Sequence, residues 1–162
     1  MASSPGLLAI FGRTVVLILK TLWIDHDHEA FEDWVALRQR VLREPLGLMY
    51  SHTDIQAERS QRHLTGWMKG NLVGGLILTD QAMPPGDCKI RQVAVRERVQ
   101  GSGIGRELME VAMDAAREDG YQRVVIHSRK NVIPFYRRLG FLEEGEKFFE
   151  VGLPHKRMVL EL

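Results

Sequence analysis

The sequence predicts a single mixed α/β domain. Three observations carry that prediction. Short β-branched or apolar segments recur along the chain, as in "LVGGLIL" and "RVVIHS". Stretches of helical periodicity stand between them, the clearest being "GRELMEVAMDAARED" over 105–119. The two kinds of segment follow one another without a linker, an internal repeat or a low-complexity tract.

A chain of 162 residues fits one domain and is long enough for a substantial core. Hydrophobic residues make up 44% and charged residues 27%, the balance of a soluble globular protein. The formal net charge of +1 leaves no electrostatic footprint for DNA, RNA or an acidic membrane surface. Aromatic residues do not interleave with a basic patch either, which argues against a nucleic-acid groove. Lone Cys88 has no partner for an internal disulfide and reads as a reduced thiol of the cytoplasm.

The elements follow in order. The apolar stretch "LLAIFGRTVVLILKTLW" (7–23) is interrupted by Arg13 and Lys20. Its uncharged run from Thr14 to Leu19 is far short of the ~20 residues a membrane span needs. "TVVLILKTLW" therefore reads as a first strand, and residues 1–12 as an extension ahead of a domain covering 13–162. Asp25 and Asp27 are candidate N-caps for a helix through "EDWVALRQRVL", with Trp34, Leu37, Val41 and Leu42 on one face. Pro45 in "REPLG" is expected to end it. A weakly helical polar stretch (53–61) precedes a hairpin in which "KGN" joins "HLTGWM" to "LVGGLIL". A loop (79–87) leads to a strand, "KIRQVAV" (89–95). The helix over 105–119 carries Leu108, Val111, Ala112, Ala115 and Ala116 as its apolar stripe and Gly120 as its C-cap. A strand (123–128), a short helix (132–140) with Pro134 in its first turn, and two pairing strands near 141–150 and 156–162 complete the chain.

The densest chemical signal is "QGSGIG" (100–105), a glycine-rich turn between a strand and a helix. It is not a dinucleotide fingerprint. Counting from Gly101 puts Arg106 where the third glycine belongs, and counting from Gly103 puts Leu108 there. There is no P-loop string, and Gln100 stands where a nucleophile elbow needs glycine. The physical element remains. Free N–H groups at a helix N-terminus can hold phosphate, and Arg98 and Arg106 flank them. A turn of this kind also serves simply as a connection, and both readings stand on the loop alone. "DHDH" (25–28) has no second pair of ligands at metal spacing and is better explained as capping, so no metal is expected.

Two stretches together resemble a family. "VAVRERVQGSGIGRELMEVAM" is similar to the acetyl-CoA-binding motif Q/R-x-x-G-x-G/A of the GNAT N-acetyltransferases, with Gln100, Gly103 and Gly105 at its fixed positions. "NVIPFYRRLGF" (131–141) resembles the family's second motif, in which Asn131 and helical Tyr136 precede Leu-Gly-Phe. "LRQRVLREP" and "FFEVGLPHKRM" are similar to its ElaA-like branch. The resemblance covers about 15–162 and implies a mixed, mostly antiparallel sheet flanked by helices. Its fourth and fifth strands, 89–95 and 123–128, are expected to splay and admit the pantetheine arm of acetyl-CoA.

What the resemblance implies for the site is specific. The N–H groups of Gln100, Gly101, Ser102, Gly103, Ile104 and Gly105, with Arg106 beside them, are expected to hold the pyrophosphate of acetyl-CoA, a co-substrate. A neutral amine attacking a thioester needs its proton removed, its oxyanion stabilised and its thiolate protonated. The strand N–H groups near Val93, Ala94 and Val95 are candidates for the oxyanion. Tyr136 matches the family's usual acid. Many relatives carry a carboxylate on the fourth strand as base. Gln92 stands there instead, unable to take a proton but able to orient a water. His127 is the other candidate base, since imidazole titrates near 6.5. Glu44, Glu150 and His155 are candidates for the acceptor pocket. The expected activity is direct transfer of the acetyl group to a primary amine, on a small molecule or a peptide, with no covalent intermediate. No metal, nucleic acid or membrane partner is expected, and dimers are common among similar proteins. Two alternatives remain open at this point: a non-catalytic acyl-CoA-binding module on the same fold, and a phosphate-binding protein using the loop alone.

Overall fold

The computed structural model describes residues 9–11, 14–16 and 18–162, the first two segments by their backbone alone. Apart from 9–11, the extension expected over 1–12 lies outside the described residues. The expected first strand is divided. β1 (Ala9–Phe11) and β2 (Thr14–Val16) form a small antiparallel hairpin of their own, whereas β3 (Lys20–Ile24) joins the main sheet.

The main sheet is built from seven strands. To β3 the chain adds β4 (Arg62–Met68), β5 (Asn71–Thr79), β6 (Asp87–Val95), β7 (Arg123–Arg129), β8 (Leu142–Glu150) and β9 (Leu153–Glu161), in the order β3-β4-β5-β6-β7-β9-β8. Pairing is antiparallel for β3–β4, β7–β9 and β8–β9, and parallel for β6–β7. The parallel register runs from Asp87↔Arg123 to Lys89↔Val125, while the strands go on to Val95 and Arg129. They are therefore the splayed fourth and fifth strands of the sheet. Helices α1 (Phe31–Arg38), α2 (His52–Ala57), α3 (Ile104–Glu118) and α4 (Ile133–Arg138) complete the fold. By its internal packing the chain divides into two units, Met1–Ile77 with Gln92–Glu110, and Leu78–Arg91 with Val111–Leu162.

The core of the first unit gathers Ile24, Phe31, Trp34, Leu37, Leu72, Ile77 and Ala94. Trp34 and Leu37 come from the predicted face of α1, and Val41 and Leu42 pack against the cluster partly buried. The entry to α1 differs from expectation. The N-cap is Ala30, with no side-chain cap. Asp25 instead accepts the N–H of Asp27 at 3.0 Å, and His28 Nδ1 accepts that of Ala30 at 3.0 Å, so these two side chains shape the preceding turn. The exit differs too. The helix widens into a π turn (Gln39–Arg43), then tightens into a 3₁₀ turn (Glu44–Leu46) whose first turn holds Pro45, where the missing N–H costs no bond. Gly47, at φ +69°, ends the path.

The glycines of β5 have steric reasons. A Cβ on Gly75 would come 2.5 Å from Leu64 O and 2.9 Å from the Trp34 ring; one on Gly74 would come 2.8 Å from Ala94 O. The hairpin turn is the two residues Lys69 and Gly70, both at positive φ, and Asn71 already belongs to β5. On α3 the buried stripe is Ile104, Leu108, Met109, Ala112, Met113 and Ala116. It is centred nearer the two methionines than predicted, and Val111 and Ala115 are half-buried at its margin.

In the second unit Cys88, Ile90, Val124, Ile126 and Met158 are buried. Asp87 and Arg123 form a bidentate pair at 3.0 and 2.7 Å, and the guanidinium holds the Asp87 carboxyl below its ordinary range. The two final strands pair as expected, with an irregularity between Glu144 and Phe148. Among the described residues no helix is long and apolar enough to cross a membrane.

Candidate active site

In the first unit the chemistry gathers where β6 runs into α3. After Val95 the backbone makes a 3₁₀ turn, Glu97–Val99, and then the glycine-rich turn. Gly101 and Gly103 sit at φ +81° and +89°, in the left-handed region that glycine enters without strain. The Gln100 side chain donates through Nε2 to Val95 O at 2.9 Å, which ties the turn to the strand end. Ser102 Oγ donates to Val99 O. Gly103 O accepts from Glu107 N at 3.0 Å, so the first-turn N–H groups that follow Gly103 have no intrahelical acceptor. A Cβ on Gly101 or Gly103 would meet nothing within 4 Å, so the space above the turn is open. Of the flanking cations, Arg106 is engaged by Glu110 at 2.9 Å. Arg98 lines a groove with Arg96 and Val99, and Arg96 is fixed by its Nε donating to Leu72 O at 2.6 Å.

On β6, Val93 and Val95 are half-buried and Ala94 is buried. Gln92 has φ +55°, unusual for a residue with a side chain. Its Oε1 accepts a short hydrogen bond from the Tyr50 hydroxyl. Tyr50 belongs to a network that nothing local in the sequence marks. Gln39 Oε1 accepts the Tyr50 N–H at 2.9 Å. The guanidinium carbons of Arg38 and Arg43 stand 5.2 and 4.9 Å from the Tyr50 ring centre. Arg38 also lies over Trp34 at 5.0 Å and pairs with Glu58 in two bonds of 3.0 and 2.8 Å. His63, which reads as isolated in the sequence, is buried in the same core. It accepts from Trp34 Nε1 at 3.1 Å, and burial lowers its pKa to about 4, so it is neutral.

In the second unit His127 lies on β7, half-buried. Its Nδ1 is 3.2 Å from both Lys89 Nζ and Glu150 Oε1, and its ring meets Phe148 edge-on at 4.9 Å. His155 Nε2 is 3.6 Å from Glu150 Oε2. Glu150 and His155 thus stand beside His127, whereas Glu44 is an exposed residue of the first unit. The hydrogen bond from His127, with Lys89 and His155 nearby, holds the Glu150 carboxyl below its ordinary range; burial lowers the Lys89 ammonium. His127 Nδ1 thus faces both an ammonium and a carboxylate at the same distance.

Asn131 is exposed in the 3₁₀ turn Lys130–Val132 that leads into α4. Tyr136 is buried, and its ring packs edge-on against Phe135 and Phe141 at 5.0 and 5.8 Å. Burial pushes its phenol well above the ordinary tyrosine range. Phe135 is the less buried of the two aromatics. The "DHDH" residues have other roles: His28 binds the Ala30 amide, and His26 packs on Phe31 at 4.7 Å. Among the described residues no three His, Cys, Asp or Glu side chains stand together as metal ligands.

Known proteins can now be set beside this geometry. Uncharacterized N-acetyltransferase YjcF of Bacillus subtilis is 27% identical over 78 residues, 48% of this chain and 56% of its own length. This chain therefore spans little more than half of that relative. Protein ElaA of Escherichia coli is 27% identical over 104 residues, 62% of this chain and 67% of its own length, in keeping with the ElaA-like stretches. Among solved structures, an acyl-CoA N-acyltransferase from Pseudomonas aeruginosa aligns with a TM-score of 0.75 at 25% identity, over 88% of this chain and 99% of its own. A Bacillus subtilis acetyltransferase in complex with CoA aligns with a TM-score of 0.70 at 20% identity, over 90% and 99%. The profile of the acetyltransferase (GNAT) domain matches residues 48–162, which takes in both motifs and the Tyr50–Gln92 contact, and the chain belongs to the GNAT acetyltransferase family.

Proposed function

We propose that this protein is an N-acetyltransferase that moves the acetyl group of acetyl-CoA directly to a primary amine. One observation carries the reading: a glycine-rich turn with two left-handed glycines opens α3, in a chain of the GNAT family. That turn offers an anion several backbone N–H donors and no side chain to obstruct it. The coenzyme-bound Bacillus structure and the acyl-CoA enzyme from Pseudomonas share the fold and favour an acyl-CoA co-substrate. In this reading residues 13–162 are the acetyltransferase domain. Gln100 to Arg106, with Asn131, bind the coenzyme, and the thioester lies along Val93 to Val95, whose N–H groups face its oxygen. His127 takes the amine proton, with Glu150 and Lys89 beside its ring. The acetyl carbon then bonds to nitrogen as the C–S bond breaks.

Tyr136 serves the departing sulfur. A free thiol titrates near 8.5 and tyrosine near 10. Burial raises Tyr136 further, so its phenol stabilises the thiolate as a hydrogen-bond donor, with full proton transfer uphill. Tyr136→Phe is expected to lower kcat about 100-fold, the low end of general acid catalysis, and to leave acetyl-CoA affinity within about two-fold. An unchanged kcat would remove Tyr136 from the mechanism.

The first test of the whole reading is thermal unfolding with acetyl-CoA, with NAD and ATP as controls. Acetyl-CoA at a hundred times its Kd is expected to stabilise the fold by about 2.7 kcal/mol. No shift at millimolar acetyl-CoA would sink the reading. A shift without turnover of any amine would leave the binding-module alternative.

A further inference from the structure

Gln92 and Tyr50 are 42 residues apart in the chain, and two features of their contact are unusual together. The first is backbone geometry. Along β6, Cys88, Ile90 and Ala94 are buried at alternate positions, and Gln92 falls in that series. Its left-handed backbone, φ +55°, breaks the series, and Gln92 is half-buried, bonded to Tyr50. A left-handed residue with a side chain is strained and persists only where its surroundings impose it. The second is how firmly the partner is held. The Tyr50 ring has a guanidinium within 5.2 Å from each of Arg38 and Arg43, and its N–H is bound by Gln39. Arg38 in turn is pinned by Glu58 in the core.

We propose that Tyr50 is a positioning residue that fixes the amide of Gln92 with Oε1 occupied, so that Gln92 Nε2–H is a hydrogen-bond donor to the carbonyl oxygen of the acyl thioester. The inference rests on the acetyl-CoA reading above, which puts the thioester beside Val93, the next residue. The chemistry favours a donor over a base surrogate. An amide cannot take the amine's proton, and a phenol donating to its oxygen polarises the amide and strengthens its N–H groups as donors. Donors aimed at a developing oxyanion are worth ~100- to 1,000-fold in kcat each. A Gln92 whose oxygen is held and whose nitrogen is free suits that task, and the strained backbone aims it.

The first measurement needs no acceptor amine. The Gln92 side-chain amide is followed by 1H–15N NMR, its resonances assigned by their disappearance in Gln92→Leu. Acetyl-CoA and coenzyme A, which lacks the acyl carbonyl, are titrated separately. In the parent, one Gln92 amide proton is expected to move downfield with acetyl-CoA and not with coenzyme A. Tyr50→Phe keeps the ring between its two guanidiniums and is expected to abolish that shift while the backbone amides of 100–105 still respond. In turnover with any amine the parent accepts, Tyr50→Phe is expected to lower kcat about 10-fold with KM for acetyl-CoA unchanged. Gln92→Leu, which neither donates nor takes a proton, is expected to lower it about 100-fold. If the 100–105 amides respond to acetyl-CoA and Gln92 does not, the inference fails and the acetyl-CoA reading survives. An equal shift with coenzyme A, an unaltered shift in Tyr50→Phe, or parental turnover in Gln92→Leu also overturns the inference. If no amide responds to either ligand, both fall together.

Discussion

Glu58→Ala is expected to lower the unfolding temperature by roughly 10 °C. The cause is the charge it leaves behind. Arg38 has no exposed surface and Glu58 only 2%, and the two are joined by paired bonds of 3.0 and 2.8 Å. An arginine does not shed its proton, so without Glu58 a full positive charge stays in the core against the Trp34 and Tyr50 rings. Breaking a buried pair from one side costs about 3–5 kcal/mol, and each kcal/mol moves the midpoint by about 2–4 °C in a domain of this size. Removing both charges is a different experiment. Arg38→Met with Glu58→Leu is expected to recover most of the loss, because the desolvation penalty of the ions vanishes with them. Thermal unfolding of the three proteins measures this directly. A Glu58→Ala midpoint within about 2 °C of the parent would mean that the pair carries no such weight. The double variant also separates stability from positioning: it restores the core but removes a guanidinium from the Tyr50 ring, so the Gln92 amide signature should be lost although the fold is regained.

What the sequence revealed of this molecule was local. The turn at 100–105 declares itself through glycines spaced for a left-handed backbone, and Gly101 and Gly103 have that backbone. The second motif is a contiguous run, and α4 forms within it with Pro134 in the first turn, where proline fits. Strands over 89–95 and 123–128 follow from their β-branched and alternating residues, and both extend slightly further in the structure. The helix ends within "REPLG", as expected of Pro45, but a helix that nears a proline need not stop abruptly. It can widen and then tighten, and here Gly47 ends the path. The bond of His28 to the Ala30 amide was hidden because an aspartate is the stronger prior for the start of a helix.

The rest of the candidate site was hidden because its bonds are long in sequence. Tyr50 and Gln92 are 42 positions apart, Lys89 and His127 38, Arg38 and Glu58 20, and His127 and Glu150 23. No periodicity connects such pairs, and each residue read alone has a plain role: a loop aromatic, a strand lysine, a helix arginine. Gln92 drew attention only because a carboxylate was expected in its place. The two glycines of β5 were equally silent, since what they make room for, the Trp34 ring and Ala94 O, comes from other elements.

Gly103→Val is expected to abolish the stabilisation by acetyl-CoA altogether. Two effects of the substitution must be kept apart. Gly103 is at φ +89°, and a β-branched residue in the left-handed region is strained by roughly 1–2 kcal/mol, so the variant is expected to unfold somewhat earlier without ligand. The second effect is occupation of space. A Cβ at Gly103 meets no protein atom within 4 Å, so the added methyl groups project into the open region where the proposed pyrophosphate would lie. Gly103→Asn separates the two, because asparagine tolerates the left-handed backbone and still places a side chain there. Parent, Val and Asn proteins are compared by thermal unfolding at an acetyl-CoA concentration a hundred times the parent's Kd, where the parent gains about 2.7 kcal/mol. Both variants are expected to gain less than ~0.5 kcal/mol, which corresponds to affinity weakened about 70-fold or more by the same linkage. If Asn responds like the parent and Val does not, backbone strain rather than obstruction closes the turn. If Val itself keeps the full gain, the turn does not hold the coenzyme's phosphates.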